Sequence, residues 1–404
     1  MSERSSQSRP AVADEVEGHL TVFLETLANA GYAEKTRHDK ERLIVPFIRW
    51  VREAGIAVKD VDEACVESFL ACPSRCRYHH RTALQHFVEH LRIVGAVPQR
   101  RPAQTPADGL FQKYLDYLRD TQGLSPHSIE VYSPFVRVFV VAQRLPQNAA
   151  AVDALAVRHH LLEHCRHRSV SAAKLLAAAL RSFLRFCFLD GMTTTDLATA
   201  VIPVHRWQYA SVPAFLTAED VEQVIVAADG STTRRCRDYA ILMLLARLGL
   251  RASEVIALEL DDIQWKTGEI VVRGKGRLHD RLPLLDDVGE ALARYLSKAR
   301  GPSSSRCVFL RHIAPLEGLA QPSVISKIAR EALRRAGLLP TGRVGAHIFR
   351  HSLATRMLRH GASLEEISQV LRHRSTTTTQ LYAKVEFERL RDVARPWPSA
   401  EVPQ

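Results

Sequence analysis

The chain has 404 residues, of which 46% are hydrophobic, and carries 55 Lys+Arg against 44 Asp+Glu for a formal charge of +11. At roughly 100–200 residues per domain this length accommodates two to four domains with cores of their own, which excludes a chain disordered over most of its length. No apolar run approaches the roughly 18 residues that cross a bilayer, and the basic excess leaves nucleic acid, an anionic membrane surface or an acidic protein open as partners.

The first residues, MSERSSQSRP, are polar and lack the apolar stretch of a secretory signal, so residues 1–14 are expected to be a disordered start to a cytoplasmic protein. Seven scattered cysteines read as reduced thiols rather than a disulfide framework. From 15 to 97 apolar residues recur at three- and four-residue spacing, the period of about four amphipathic helices. Cys72, Cys76, His79 and His80 fall within this stretch, but their spacing matches no common zinc pattern. Pro98 to Gly109, with three prolines among small polar residues, reads as a linker, placed at 98–107.

Residues 108–205 repeat the helical pattern. Phe23-Leu24-Glu25-Thr26-Leu27 aligns with Tyr114-Leu115-Asp116-Tyr117-Leu118, Gly31 with Gly123, Val61-Asp62 with Val152-Asp153, and Leu84, Phe87 and Gly95 with Leu180, Phe183 and Gly191. A duplicated unit and a chance likeness between two small helical bundles are both compatible with this alignment. A second break at 206–211 precedes a segment over 212–395 that alternates. Helices are expected over 218–228, 235–248, 287–296, 323–336 and 347–360, and a further one after the Ser363/Glu366 capping box. Gly268 to Arg273 and Arg281 to Leu284 read as two strands around Gly274-Lys275-Gly276, and Val308 to Leu310 as a third. The expected class is therefore mainly α with a small antiparallel sheet in an α+β third domain, preceded by all-α domains and followed by a flexible tail at 396–404.

The charge is concentrated late: between Arg343 and Arg374 lie six arginines and four histidines against Glu365 and Glu366 alone. Arg251 sits at a helix junction with Glu254 three residues on, Lys275 lies between two glycines at a strand turn, His347 and Arg350 share a helix face at i and i+3, and Tyr382 follows His373 by nine residues. Such a set suits a phosphodiester. Arginine forks bind non-bridging phosphate oxygens and stay charged at any working pH. A phenol with a free pKa near 10 needs a base or a positive field before it attacks, and lysine or histidine can move the protons. Gly274-Lys275-Gly276 lacks the remaining residues of a P-loop, so no nucleotide site is expected.

In Gly249 to Glu254, the Lys275 hairpin, His347 to His351 and Leu371 to Tyr382, the chain resembles the tyrosine recombinase, or phage integrase, family. The resemblance covers essentially all of 212–395. It implies a site-specific recombinase or integrase in which Tyr382 attacks a DNA phosphate and is left holding a 3′-phosphotyrosyl bond. It further implies that Arg251 and Arg350 clamp the phosphate, Lys275 protonates the 5′ oxygen, His347 assists proton transfer at the tyrosine and His373 hydrogen-bonds the phosphate. Segment 108–205, with Leu124-Ser125-Pro126-His127-Ser128-Ile129, resembles the family's core-binding domain, and 15–97 lies outside its usual plan. Double-stranded recombination sites, a homo- or hetero-tetramer on paired sites with Phe387 to Val393 docking on a neighbour, and no metal, nucleotide or membrane are implied as well. A catalytically idle DNA-binding relative and a topoisomerase-like enzyme stay open as alternatives. Arg372 departs from the family's usual glycine, and Leu278 and Asp280 from commonly basic residues. His312, His351 and His360 read as surface or packing histidines.

Overall fold

The computed structural model describes residues 11–71, 78–99, 105–147, 149–204, 214–274, 279–340, 344–373, 379 and 382. Cys72, Cys76, Lys275, Leu278 and Phe387 to Val393 therefore lie outside the described residues. The chain divides into two compact units, Met1–Pro98 with Ser211–Gln404, and Gln99–Ala210.

The N-terminal part of the first unit holds α1 (Ala11–Asn29), α2 (Glu34–Glu53), α3 (Glu63–Leu70) and α4 (Tyr78–Ile93). Phe23, Phe47, Leu84 and Phe87 meet in its core. Asp62 starts α3 by accepting the Cys65 N–H at 2.9 Å, which satisfies one of the donors a helix N-terminus leaves open. Gly31 turns the chain from α1 to α2 at φ +81°, and a Cβ there would lie 2.5 Å from Leu316 Cδ1. Beside it the Leu316 N–H donates to the Ala30 carbonyl at 2.9 Å, so these helices touch the later part of their own unit.

The second unit contains α5 (Pro106–Asp116), continued by a π-type turn over Tyr117–Thr121, then α6 (Pro126–Ala142), α7 (Ala154–Cys165) and α8 (Val170–Leu189), around Tyr114, Phe139 and Phe183. Helix α5 begins inside the stretch whose composition reads as linker. Thr105 and Asp108 form a reciprocal capping box, and Pro106 falls in the first turn, where its missing N–H costs nothing. Asp153 caps α7 as Asp62 caps α3, and the four helices follow one another in the same order as in α1 to α4.

The remainder of the first unit comprises α9 (Ala218–Ala228), α10 (Thr233–Arg247), α11 (Ala252–Ala257), β1 (Ile263–Gln264), β2 (Glu269–Arg273), β3 (His279–Pro283), α12 (Asp286–Lys298), α13 (Pro322–Arg335), α14 (His347–Arg359) and α15 (Leu364–Val370). Six consecutive residues of α10, Ala240 to Leu245, are at most 1% exposed, which makes this helix the axis of the core. The sheet runs β1-β2-β3, all antiparallel, with Ile270 opposite Leu282. The fold is mainly α with one small antiparallel sheet, as the periodicity implies.

The third strand is a correction. It is Ile263–Gln264, whereas Val308 to Leu310 joins no strand of the sheet. Its backbone groups are taken elsewhere: the Val308 N–H donates to the Leu258 carbonyl at 2.9 Å, the Leu310 carbonyl accepts from Arg237 at 3.0 Å, and the Leu310 N–H donates to the Tyr295 hydroxyl at 3.2 Å. An apolar triplet signals burial, and here burial is met without a ladder.

Candidate active site

Gly249 sets the geometry of the site. It lies at φ +58°, and a Cβ would meet Leu371 Cδ2 at 2.8 Å and Leu353 Cδ2 at 2.9 Å, so glycine is needed for both conformation and space. The turn it makes delivers Arg251 to the start of α11. There the Arg251 N–H donates to one Glu254 carboxylate oxygen at 2.8 Å and its Nη1 to the other at 2.7 Å. Glu254 is 4% exposed and Arg251 34%, so the guanidinium is held from below and open above. Burial pushes the Glu254 carboxyl up, but the Arg251 N–H and the guanidiniums of Arg372 and Arg251 outweigh it and hold the group below its ordinary range.

Helix α14 presents His347, Arg350 and His351 at i, i+3 and i+4. Arg350 is buried. Its Nη1 donates to the Gly249 carbonyl at 2.5 Å and its Nη2 to the Leu371 carbonyl, so its position is fixed by backbone rather than by a carboxylate. Burial lowers its pKa to about 10, with the neighbouring Arg251 adding to the effect, and the group is still a cation at neutral pH. Arg251 Nη2 reaches the next carbonyl, that of Arg372, at 3.3 Å. Two successive carbonyls at the end of α15 thus hold two guanidiniums side by side.

Tyr382 is 1% exposed, enclosed by Leu353, Ala354, Leu358, Ile367 and Leu371. Its hydroxyl lies 2.9 Å from His351 Nδ1. The rings of His351 and His373 flank the phenol at centroid distances of 5.6 and 6.2 Å. Burial raises the Tyr382 pKa, while Arg350 and Arg251 pull against it. His373 Nδ1 pairs with the buried Thr379 hydroxyl at 2.8 Å, leaving Nε2 as the ring's other polar atom. Burial, then the nearby cations and imidazoles, lowers His351 and His373 to about 4, so both are neutral at pH 7. His347 keeps an exposed face; the surrounding protein, Arg350 and Arg251 lower its pKa as well.

The structure brings together five of the six residues the sequence singles out, Arg251, His347, Arg350, His373 and Tyr382, and the sixth, Lys275, is outside the described residues. His351 is the correction to the sequence reading: it is no surface or packing histidine but the side chain against the Tyr382 hydroxyl. Its signal was its place four residues after His347 on the same helix. His312 and His360 are exposed, as expected. Among the described residues no group of three or more His, Cys, Asp or Glu is placed to hold a metal ion, and no helix is long and apolar enough to cross a membrane.

Residues 214–389 match the model of the phage integrase family. A protein of Sinorhizobium fredii named "Putative integrase/recombinase y4rA" is 39% identical over 389 residues, spanning 94% of each chain. The tyrosine recombinase XerD of Listeria monocytogenes is 30% identical over 297 residues, 70% of this chain and 96% of its own. The crystal structure of the XerH site-specific recombinase bound to palindromic difH substrate, a post-cleavage complex, superposes with a TM-score of 0.55 at 17% identity, covering 99% of this chain and all of that one. With the arginine pair, the histidines and the tyrosine assembled as described, the chain belongs to the phage integrase family, the tyrosine-type site-specific DNA recombinases.

Proposed function

We propose that this recombinase cleaves and rejoins DNA through a 3′-phosphotyrosyl intermediate on Tyr382, in the integration, excision or transposition of a mobile element. The observation that carries the reading is the set of cations and imidazoles gathered around one phenol: His351 Nδ1 lies 2.9 Å from its hydroxyl, His351 and His373 flank its ring, and Arg350 and Arg251 oppose the rise in its pKa that burial causes. A buried tyrosine with only a packing role has no use for two arginines held by backbone carbonyls.

In this reading Arg251 and Arg350 bind the two non-bridging oxygens of the scissile phosphate and stabilise the pentacoordinate transition state. The Tyr382 oxygen attacks phosphorus as the bond to the 5′ oxygen breaks, and Lys275 gives that oxygen its proton. His351 is the base nearest the phenol, His347 assists proton transfer, and His373, oriented by Thr379, donates from Nε2 to a phosphate oxygen. The phosphotyrosyl bond conserves the energy of the phosphodiester, so a 5′-hydroxyl of another strand reverses the step without a cofactor. Segment 212–395 is the catalytic domain, 108–205 a core-binding domain, and 15–97 a second unit of that kind. Duplex recombination sites are the substrate, and a tetramer on paired sites is the acting species.

The test is a nicked duplex carrying the end of the protein's own element, scored for a denaturation-resistant protein–DNA adduct. Wild type forms the adduct and Tyr382→Phe does not. DNA binding without any adduct would indicate an idle accessory protein instead, and adduct without strand exchange between labelled duplexes would indicate a topoisomerase-like enzyme.

A further inference from the structure

Arg372 and Asp280, the one after α15 and the other on β3, are 92 residues apart in the chain, and the fold brings them to one another. Arg372 is a non-glycine residue at φ +54°, in the left-handed region that glycine occupies without strain. Its side chain is nevertheless 7% exposed, and both terminal nitrogens of the guanidinium are engaged, while Nε has no hydrogen-bond acceptor and only the more distant charge of Asp280 beside it. Nη2 donates to Glu254 at 3.0 Å, Nη1 donates to the Val370 carbonyl at 3.1 Å, and Nε lies 4.0 Å from the Asp280 carboxylate. A strained backbone persists where the surroundings over-determine it, and here the surroundings are the site itself.

From these contacts we infer that Arg372 is a positioning residue that ties β3, the strand that follows Lys275 in the chain, to the arginine pair; the inference rests on the function proposed above. Three links carry it. Glu254 is shared, so that the buried carboxylate which steadies Arg251 is itself steadied by Arg372, and Arg251 is left with unused N–H groups for a ligand. The Arg372 carbonyl accepts directly from Arg251 Nη2. Asp280, opposite Val272 in the β2–β3 ladder, stands on the strand that follows Lys275 in the chain, so the ion pair joins that strand to the Glu254–Arg372 pair. A glycine at 372 would relax the backbone and remove all of these side-chain contacts. The direct phosphate contact that an extra arginine suggests is not what this guanidinium makes: it faces Glu254 and Asp280.

The experiment is single-turnover adduct formation on two nicked substrates, one with the ordinary 5′ oxygen at the scissile phosphate and one with sulfur in its place. A 5′ thiolate leaves without a proton, so a defect in delivering the acid disappears on the sulfur substrate, while a defect in phosphate clamping or folding remains. Lys275→Ala serves as the reference, slow on oxygen and restored on sulfur. Asp280→Asn, whose parent side chain is 45% exposed and replaceable without loss of the fold, is expected to slow the oxygen substrate about 3–10-fold and to approach wild type on sulfur. Arg372→Gly is expected to lose at least ~10-fold on oxygen and to recover in part on sulfur, the remainder being the share of Arg251. The double variant should lose less than the product of the two single losses. Equal losses on both substrates, wild-type rates in both variants, or multiplicative losses in the double variant would each overturn the inference. Failure of wild type to form any adduct, or of sulfur to restore Lys275→Ala, would instead strike at the catalytic reading beneath it.

Discussion

At the residue scale the site is built from groups made neutral or charged by their surroundings. His351 and His373 in the first unit, and His160 in the second, have pKa values of about 4 against an ordinary 6.5, with burial the leading cause in each. The folded protein therefore refuses protons that the unfolded chain accepts between those values. Stability from this source is fully present above pH 6.5 and is lost as pH falls toward 4. Thermal melts of the full chain should show the midpoint dropping across that window, by an amount equivalent to at most about 3 kcal/mol for each ring, and His351→Gln should flatten part of the slope. A midpoint that stays level from pH 7 to 4.5 would contradict the burial assigned to these rings.

At the scale of elements, the site depends on where helices start and stop. Helix α15 opens on the Ser363–Glu366 capping box, and its far end supplies the Leu371 and Arg372 carbonyls that hold the two arginines. Ser363→Ala removes the acceptor for the Glu366 N–H and should cost about 1 kcal/mol in chemical denaturation, with slower adduct formation as the carbonyls lose their register. Unchanged stability would mean that tertiary packing alone fixes this helix. The helices of this region were legible in the sequence because caps, periodicity and glycine stops agree; α9 runs over the expected 218–228, and the Ser363 box stands where it was read. The partnership of His351 with Tyr382 was not legible, since it joins residues 31 apart whose meeting depends on how α14 packs on the last segment. Likewise an apolar triplet such as Val308 to Leu310 cannot say whether its carbonyls face a strand or the side chain of Arg237. The start of α5 was hidden for a different reason, because prolines that mark a linker by composition are equally at home in the first turn of a helix.

For the whole molecule, the charge of +11 is a prediction about binding. A recombinase that grips duplex DNA chiefly by its phosphates releases counterions on binding, and the logarithm of its affinity falls with the logarithm of salt at about 0.9 per phosphate neutralised. With about five or more contacts, affinity measured by fluorescence anisotropy should drop at least ~100-fold between about 50 and 200 mM salt, on target and non-target duplexes alike. A shallow dependence would place the basic residues elsewhere than on DNA. The net charge alone left the anionic partner open. It was the spacing of a few arginines and histidines, not their number, that narrowed it.

With Tyr382 as the nucleophile proposed above, its enclosure has a consequence for the safety of such an enzyme in a cell. A chromosome offers millions of phosphates chemically identical to the target, and sequence readout is never absolute. If bringing the phenol out of its apolar surround to meet a phosphate costs about 2 kcal/mol, only ~3% of free molecules are armed at any moment. DNA that cannot favour the armed form meets a protein whose weapon is sheathed. Accidental nicking is then suppressed by a folding equilibrium as well as by recognition, at the modest expense of an apparent affinity reduced by the same fraction.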